Sequence, residues 1–248
     1  MKRLLLLNIG NTHTQCAFAD LAGNIEEPLS TVPTAQWQEN LQLLPQADAA
    51  CPVWAACVVP SARKILTESR QYKNLHWVDA AAGETAGLDF SQIDASTLGA
   101  DRIANAATLL KNGRLPASNF DCGTAITLET VLENGVFAGG AIMPGRKLMR
   151  SALKAGTAAL PEIPLAQPMP EKLGTNTLGA MTLGIDLGAV GMVREIMSRS
   201  SVLGVKNMVA SGGDAEFFCK YIPELEPAGK LFTLQGIHFI AVKHLEKE

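Results

Sequence analysis

Aromatic side chains are scarce in this sequence. Trp, Tyr and Phe make up 5% of its 248 residues, against 47% for hydrophobic residues as a whole, so a core has to be built mainly from aliphatic side chains. Long apolar runs are also missing. The run that opens at Leu4 meets the polar Asn8 after Leu7, far short of the roughly 18 residues that span a bilayer. Neither a spanning helix nor a secretory leader is predicted. No basic tract occurs, and 21 Lys and Arg against 24 Asp and Glu give a net charge of -3. That removes the electrostatic footprint of a nucleic-acid binder. The five cysteines, Cys16, Cys51, Cys57, Cys122 and Cys219, form no CxxC pair. Their scatter argues against a zinc centre, fits a reducing, cytoplasmic setting and predicts buried apolar thiols.

The length suits one large domain or two lobes of about 100–150 residues. Strand and helix patterns alternate, which implies an α/β layered structure. Strands are predicted at Arg3–Ile9, His13–Ala19, Val53–Val59, Leu75–Val78, Ser118–Asp121, Ile126–Leu132, Val136–Ile142 and Lys206–Ala210. Helices are predicted at Gln36–Leu44, Ser61–Arg70, Arg146–Ala155, Asn176–Arg199 and Ala215–Tyr221, and from Thr97, as N-cap, to Lys111. Asn134-Gly135 is a hairpin turn signal. The segment Pro161–Pro170 reads as irregular. The helix Asn176–Arg199 contains Gly179, Gly184, Gly188 and Gly191, which suggests that another backbone or a ligand packs closely against it.

Three short loops carry the chemistry. Asn8-Ile9-Gly10-Asn11-Thr12 follows the first strand and has a counterpart in Asp121-Cys122-Gly123-Thr124-Ala125. The shared order of strand, loop, strand and turn suggests a duplicated core, each half offering one loop to a central cleft. Glycine lets backbone N–H groups approach phosphate oxygens, and Asn11, Thr12 and Thr124 add neutral donors. A carboxylate at the strand end can hold magnesium. A third loop, Ser211-Gly212-Gly213-Asp214, lies between a strand and a helix, as a nucleotide site would. Between the first two sits Gly99-Ala100-Asp101-Arg102 at a helix start, where Asp101 can deprotonate a hydroxyl and Arg102 can hold an anion.

Together these residues resemble the type III pantothenate kinases of the acetate and sugar kinase, Hsp70 and actin superfamily. The motifs are Gly10–Thr12, Gly99–Arg102 followed by Asn105, Asp121–Thr127, Gly139–Gly145, Thr157–Pro161, Gly174–Thr177 and Ser211–Ala215. The resemblance implies a two-lobed, duplicated actin-like or ribonuclease H-like ATPase fold with a cleft between lobes 1–115 and 116–248. It implies ATP-dependent phosphorylation of pantothenate to 4'-phosphopantothenate, the first step of coenzyme A biosynthesis. It also implies a homodimer using Mg2+ with ATP and a monovalent cation, K+ or NH4+. Asp101 would then be the catalytic base, and Asp121 would act near the metal and the transferred phosphoryl group. Gly99, Ala100, Arg102 and Thr177 would bind pantothenate. Asn8, Gly10, Asn11, Thr12, Gly123, Thr124, Gly212 and Gly213 would bind ATP, and Asn8, Asp121 and Glu129 would support the metals.

Two positions depart from the family pattern. Asn8 stands where the first motif has aspartate, and Glu129 where the second motif ends in aspartate. Asn8 removes a negative charge facing Mg-ATP, so metal support at the first loop is expected to be impaired. The alternatives to an active pantothenate kinase are a binding or regulatory protein of the same fold and a kinase for another small hydroxyl compound.

Overall fold

Leu4–Leu7 become the middle of a sheet. The computed structural model describes residues 3–27 and 29–247. In it, all four leucines of β1 (Arg3–Ile9) are at 0% exposure. Burial on both faces explains why the run is continuous rather than alternating, and each leucine gains roughly 1.5–3 kcal/mol by leaving water. β2 (His13–Asp20) returns antiparallel, with Asn8 opposite Gln15 and Ile9 opposite Thr14. β3 (Ser30–Pro33) pairs with β2, and helix α1 (Thr34–Glu39) follows it. β4 (Val53–Cys57) runs parallel to β1, and Pro60 then starts α2 (Pro60–Ser69) at a position where its missing N–H costs nothing. β5 (Leu75–Trp77) completes the order β3-β2-β1-β4-β5, and α3 (Ala80–Thr85) and α4 (Ala100–Asn112) come next.

The second sheet has the order β10-β9-β6-β7-β8. Its strands are β6 (Ala117–Cys122), β7 (Ala125–Val131), β8 (Phe137–Pro144), β9 (Asn207–Ser211) and β10 (Glu226–Pro227). Asn134 at φ 62° and Gly135 at φ 81° make the predicted turn between β7 and β8. The helices of this half are α5 (Arg146–Gly156), α6 (Thr177–Val202) and α7 (Ala215–Tyr221); α8 (Phe232–Leu245) ends the chain's regular structure.

Two compact units result. One comprises Met1–Ala117, Glu129–Gly139 and Gly229–Glu248, and the other Ser118–Leu128 and Gly140–Ala228. The sequence reading placed one boundary after residue 115; the units interleave along the chain. In the first, Leu5, Leu7, Trp37, Val53 and Leu66 share a core. Helices α4 and α8 also pack there, so closely that a Cβ on Gly236 would strike the backbone oxygen of Ala104. The core of the second gathers Phe120, Ile126, Val193 and Phe218.

Several expectations need correction. Thr97 is not the N-cap of α4. Asp94 instead accepts the Ser96 N–H at 3.0 Å and opens a short 3-10 turn at Ala95–Thr97. Gly99 then caps α4 in extended conformation. The helix expected at Gln36–Leu44 breaks at Asn40, whose side chain accepts from the Gln42 N–H and starts a separate 3-10 turn. Four elements went unpredicted: β3, α3, β10 and α8. Among the described residues, no helix is long and apolar enough to cross a membrane.

Candidate active site

The first unit carries the β1–β2 loop and the start of α4. Gly10 closes the loop by donating its N–H to His13 O at 3.1 Å. Thr34, at the start of α1, braces it from beneath. Its hydroxyl donates to Gly10 O at 2.7 Å, and its N–H donates to Thr12 O at 3.0 Å. Thr14 touches that hydroxyl at 3.0 Å and accepts from Trp37 Nε1 at 2.7 Å. Asn11 and Thr12 are left exposed at the tip. Asn8, half-buried on β1, makes a long 3.5 Å contact from its Nδ2 to Gln15 Oε1, so its amide oxygen is what it can offer a ligand.

At α4, Asp101 folds back so that its Oδ1 accepts the Arg102 N–H at 2.8 Å. Gly99 makes room for that fold, since a Cβ there would lie 2.7 Å from the same oxygen. Burial raises the proton affinity of Asp101 above the ordinary aspartate value, and the Arg102 N–H and the Arg102 charge hold it back in part. A base must bind its proton tightly enough to take one from a hydroxyl, and this shift runs in that direction. The two residues before Asp101, Gly99 and Ala100, line a cavity of about 540 Å³ with Val58, Arg63, Asp79 and Ser96, and Asp101 itself is not part of that lining. Arg102 itself turns to Glu129 on β7, with Nε 3.0 Å from Oε1, and Glu129 is completely buried.

The second unit gathers the other loops. Gly123 donates its N–H to Ala125 O at 3.0 Å, and Thr124 O accepts from the Gly145 N–H at 3.0 Å. The loop after β9 packs against the same turn: Asp214 donates its N–H to Cys122 O at 3.0 Å. Two glycines make this stacking feasible. A Cβ on Gly145 would strike Gly123 O, and one on Gly212, at φ 88°, would meet the Asp121 carboxylate and Cys122 O. Asp121, Gly123, Thr124 and Gly212 are thus brought together. A Cβ on Gly213 meets nothing within 4 Å, so packing does not require glycine there. Thr177 is exposed on the first turn of α6, whose N-cap Asn176 accepts the Gly179 N–H at 2.9 Å.

Sequence reasoning missed a buried ionic cluster in this unit. Arg146 pairs with Asp214 through two nitrogens and lies 3.1 Å from Asp186, which also accepts from Arg150 at 2.8 Å. Phe217 lies under the Arg146 guanidinium, 3.3 Å from it. Asp214 thereby fixes the end of the Gly212-Gly213 loop to the start of α5. One signal was available: Asp186 is the only charged residue between Thr177 and Val193, on an otherwise small and apolar stretch.

Among the described residues, no group of three or more His, Cys, Asp or Glu side chains forms a ready metal cage. A magnesium ion of a phosphoryl-transfer site needs only one or two carboxylates, the substrate phosphates and water supplying the rest. Asp121 suits that role, since the glycine loops leave its carboxylate beside phosphate-type backbone.

The sequence profile of the type III pantothenate kinases matches residues 4–199. The chain belongs to the type III pantothenate kinase family. A type III pantothenate kinase from Citrifermentans bemidjiense is 32% identical over 186 residues, 74% of this chain and 73% of that one. Among solved structures, a Baf family transcriptional activator from Campylobacter jejuni aligns with TM-score 0.66 at 20% identity, covering 98% of this chain and 100% of its own. An inorganic polyphosphate/ATP-glucomannokinase from Arthrobacter sp. strain KM aligns with TM-score 0.51 at 14% identity, covering 100% of both chains. At these identities the structural likenesses establish the fold, which is the actin-like, sugar-kinase type. The 211–215 loop lies beyond the profile match.

Proposed function

We propose that the protein phosphorylates pantothenate with ATP to give 4'-phosphopantothenate, the first step of coenzyme A biosynthesis. The observation that carries this reading is Asp101. It is an acid of raised proton affinity at the start of α4, next in sequence to Gly99 and Ala100, which line a cavity large enough for a small acceptor, in a chain of this family. Asp101 takes the proton of the acceptor hydroxyl. The hydroxyl oxygen bonds to the γ-phosphorus, the bond from that phosphorus to the β,γ-bridging oxygen breaks, and ADP leaves. Gly99, Ala100, Arg102 and Thr177 bind and orient the acceptor. The Gly10–Thr12 loop and the platform of Gly123, Thr124, Gly212 and Gly213 bind phosphates and nucleotide through backbone N–H groups and hydroxyls.

Asp121, with Asn8 as a weak helper, would hold Mg2+, and a monovalent cation, K+ or NH4+, would share the negative charge near it. When bound, such ions neutralise charge on the transferring phosphoryl group. Because Asn8 supplies no charge, the enzyme is expected to need more magnesium than one with an acid there.

The protein is also proposed to be a homodimer through α6. Gly184, Gly188 and Gly191 have open space where a Cβ would be, and Leu187 is 56% exposed beside them. A cavity of about 590 Å³, lined largely by apolar atoms of α6 and by Leu173, opens on this face. Light scattering at micromolar concentration should give twice the chain mass; a monomer with and without ATP overturns this part.

A second reading, a nucleotide- or pantothenate-binding regulator with little turnover, is favoured by the amide at Asn8. ADP release with and without pantothenate separates the two. Pantothenate-dependent release supports the kinase; ATP binding without it supports the regulator.

A further inference from the structure

The departure at position 129 has its own geometry. Glu129 is at 0% exposure, and so is Asn105. One carboxylate oxygen receives Arg102 Nε at 3.0 Å, and the other receives Asn105 Nδ2 at 3.4 Å. Asn105 Oδ1 in turn accepts the Thr233 hydroxyl at 2.8 Å. The network ties α4, β7 and α8 together within the first unit. A fully buried carboxylate is expensive unless paired, and a guanidinium in the first turn of a helix faces the positive end of the helix dipole. Each charge therefore explains the other. Both Glu129 oxygens are engaged in this way, and the Arg102 charge held against the carboxylate opposes a second cation at the same group.

We infer that Glu129 is a positioning residue that fixes the Arg102 guanidinium, and through it the grip on the anionic acceptor, rather than a metal ligand. Arm length matters here. Aspartate at 129 would draw the carboxylate back by about 1.5 Å, beyond hydrogen-bond reach of Arg102 without a backbone shift. The length of the glutamate arm is thus what brings the carboxylate to the arginine.

This inference rests on the proposed pantothenate kinase reading, and its test separates the two. Steady-state kinetics are measured for wild type, Glu129→Asp, Glu129→Gln, Arg102→Gln and the double variant Glu129→Gln/Arg102→Gln. Loss of one charge-assisted contact should raise the pantothenate KM about tenfold in Glu129→Gln, with the ATP KM unchanged within about twofold. Glu129→Asp should raise the pantothenate KM in the same direction although it keeps the charge. The double variant should match Arg102→Gln alone, because Glu129 acts through that arginine. The potassium dependence should be the same in every variant. Equal loss toward ATP and pantothenate, an additive double variant, or a potassium requirement that rises in the Glu129 variants overturns the inference. Should Glu129→Gln fail to fold, Glu129→Asp carries the same comparison. A wild-type protein inert toward pantothenate overturns the functional reading and this inference with it; an active wild type with unchanged Glu129 variants overturns the inference alone.

Discussion

The β1–β2 loop and the β6–β7 loop share one design, yet they are held in different ways. The first is braced in good part by side chains: the Thr34 hydroxyl holds Gly10 with Thr14 and Trp37 behind it, while the Thr34 N–H holds Thr12. The second is braced by backbone, with Gly145 and Gly212 pressed against Gly123, Thr124 and Cys122. The next-to-last residue of β1 is an amide, Asn8, and that of β6 is an acid, Asp121. A loop held by side chains can change its neighbours one at a time, whereas a stack of backbones cannot admit even a methyl group. The loop that keeps its acid is also the one whose surroundings are sterically fixed. Asp101, the proposed base, belongs to the same unit as the more tolerant loop.

The largest expected effect removes the chemistry and leaves both loops intact. Asp101→Asn should lower pantothenate turnover by about 10²–10⁴-fold, the usual range for loss of a general base, while ATP binding measured by calorimetry is held. Near-normal turnover would remove Asp101 from the mechanism. The pH profile tests the same group. Burial raises its folded proton affinity, so the ionised, active form is lost as pH falls through a value above that of an ordinary aspartate. The sign for stability is the reverse of the usual carboxylate case. Ionising a group whose folded pKa is raised destabilises the fold, so this residue's contribution improves as pH drops. Wild type should show the acid limb displaced upward in kcat/KM, and Asp101→Asn should lose that limb.

A paired substitution tests the steric contrast directly. Gly145→Ala puts a methyl group against two backbone carbonyls that have nowhere to move, and overpacking of this kind costs about 1–3 kcal/mol. Gly10→Ala meets only His13 O, at 3.2 Å, and should cost under about 1 kcal/mol. Thermal melts of both variants, with ATP affinity alongside, give the ranking. Equal melting temperatures would mean that the two loops are equally tolerant and that the contrast is only apparent.

Much of this was legible because the signals are local. Leu4–Leu7, Asn134-Gly135 and the glycine loops are short patterns whose physics acts within a few residues, and every strand except β3 and β10 was legible from local patterns of this kind. Helix α8 was not legible, because Phe232, Leu234, Ile237, Ile240 and Ala241 are buried together with Thr233, Gly236 and His238. A helix buried around most of its circumference shows no polar stripe to mark its period. Gly236 reads as a helix breaker until Ala104 is seen against it. The partners of Glu129 and Arg146 were hidden for a different reason. Arg102 lies 27 residues from Glu129, and Asp214 lies 68 from Arg146, so only the tertiary fold brings each pair together. The motif positions supply the proposed site residues but not the anchors that hold them.

The smallest expected effect makes the two loops alike. Asn8→Asp restores at the end of β1 the acid that β6 carries at Asp121. The side chain is only half-buried and its one recorded contact, to Gln15 at 3.5 Å, is long, so the change should be tolerated structurally. A charge-assisted contact to a magnesium-bound water is worth roughly 1.5–3 kcal/mol, and about 1.4 kcal/mol corresponds to tenfold in rate. Pantothenate kinase activity should therefore rise by about tenfold or more at limiting magnesium, with a smaller gain at saturation, where the ion no longer has to be recruited. ADP release against magnesium concentration, for wild type and variant side by side, measures this. Curves that superimpose at every concentration would mean that Asn8 does not support the metal, and that the first loop serves phosphate through Gly10, Asn11 and Thr12 alone. A variant that gains only at low magnesium would locate the difference between the two loops in the charge at the strand end, since the backbone of both would be unchanged.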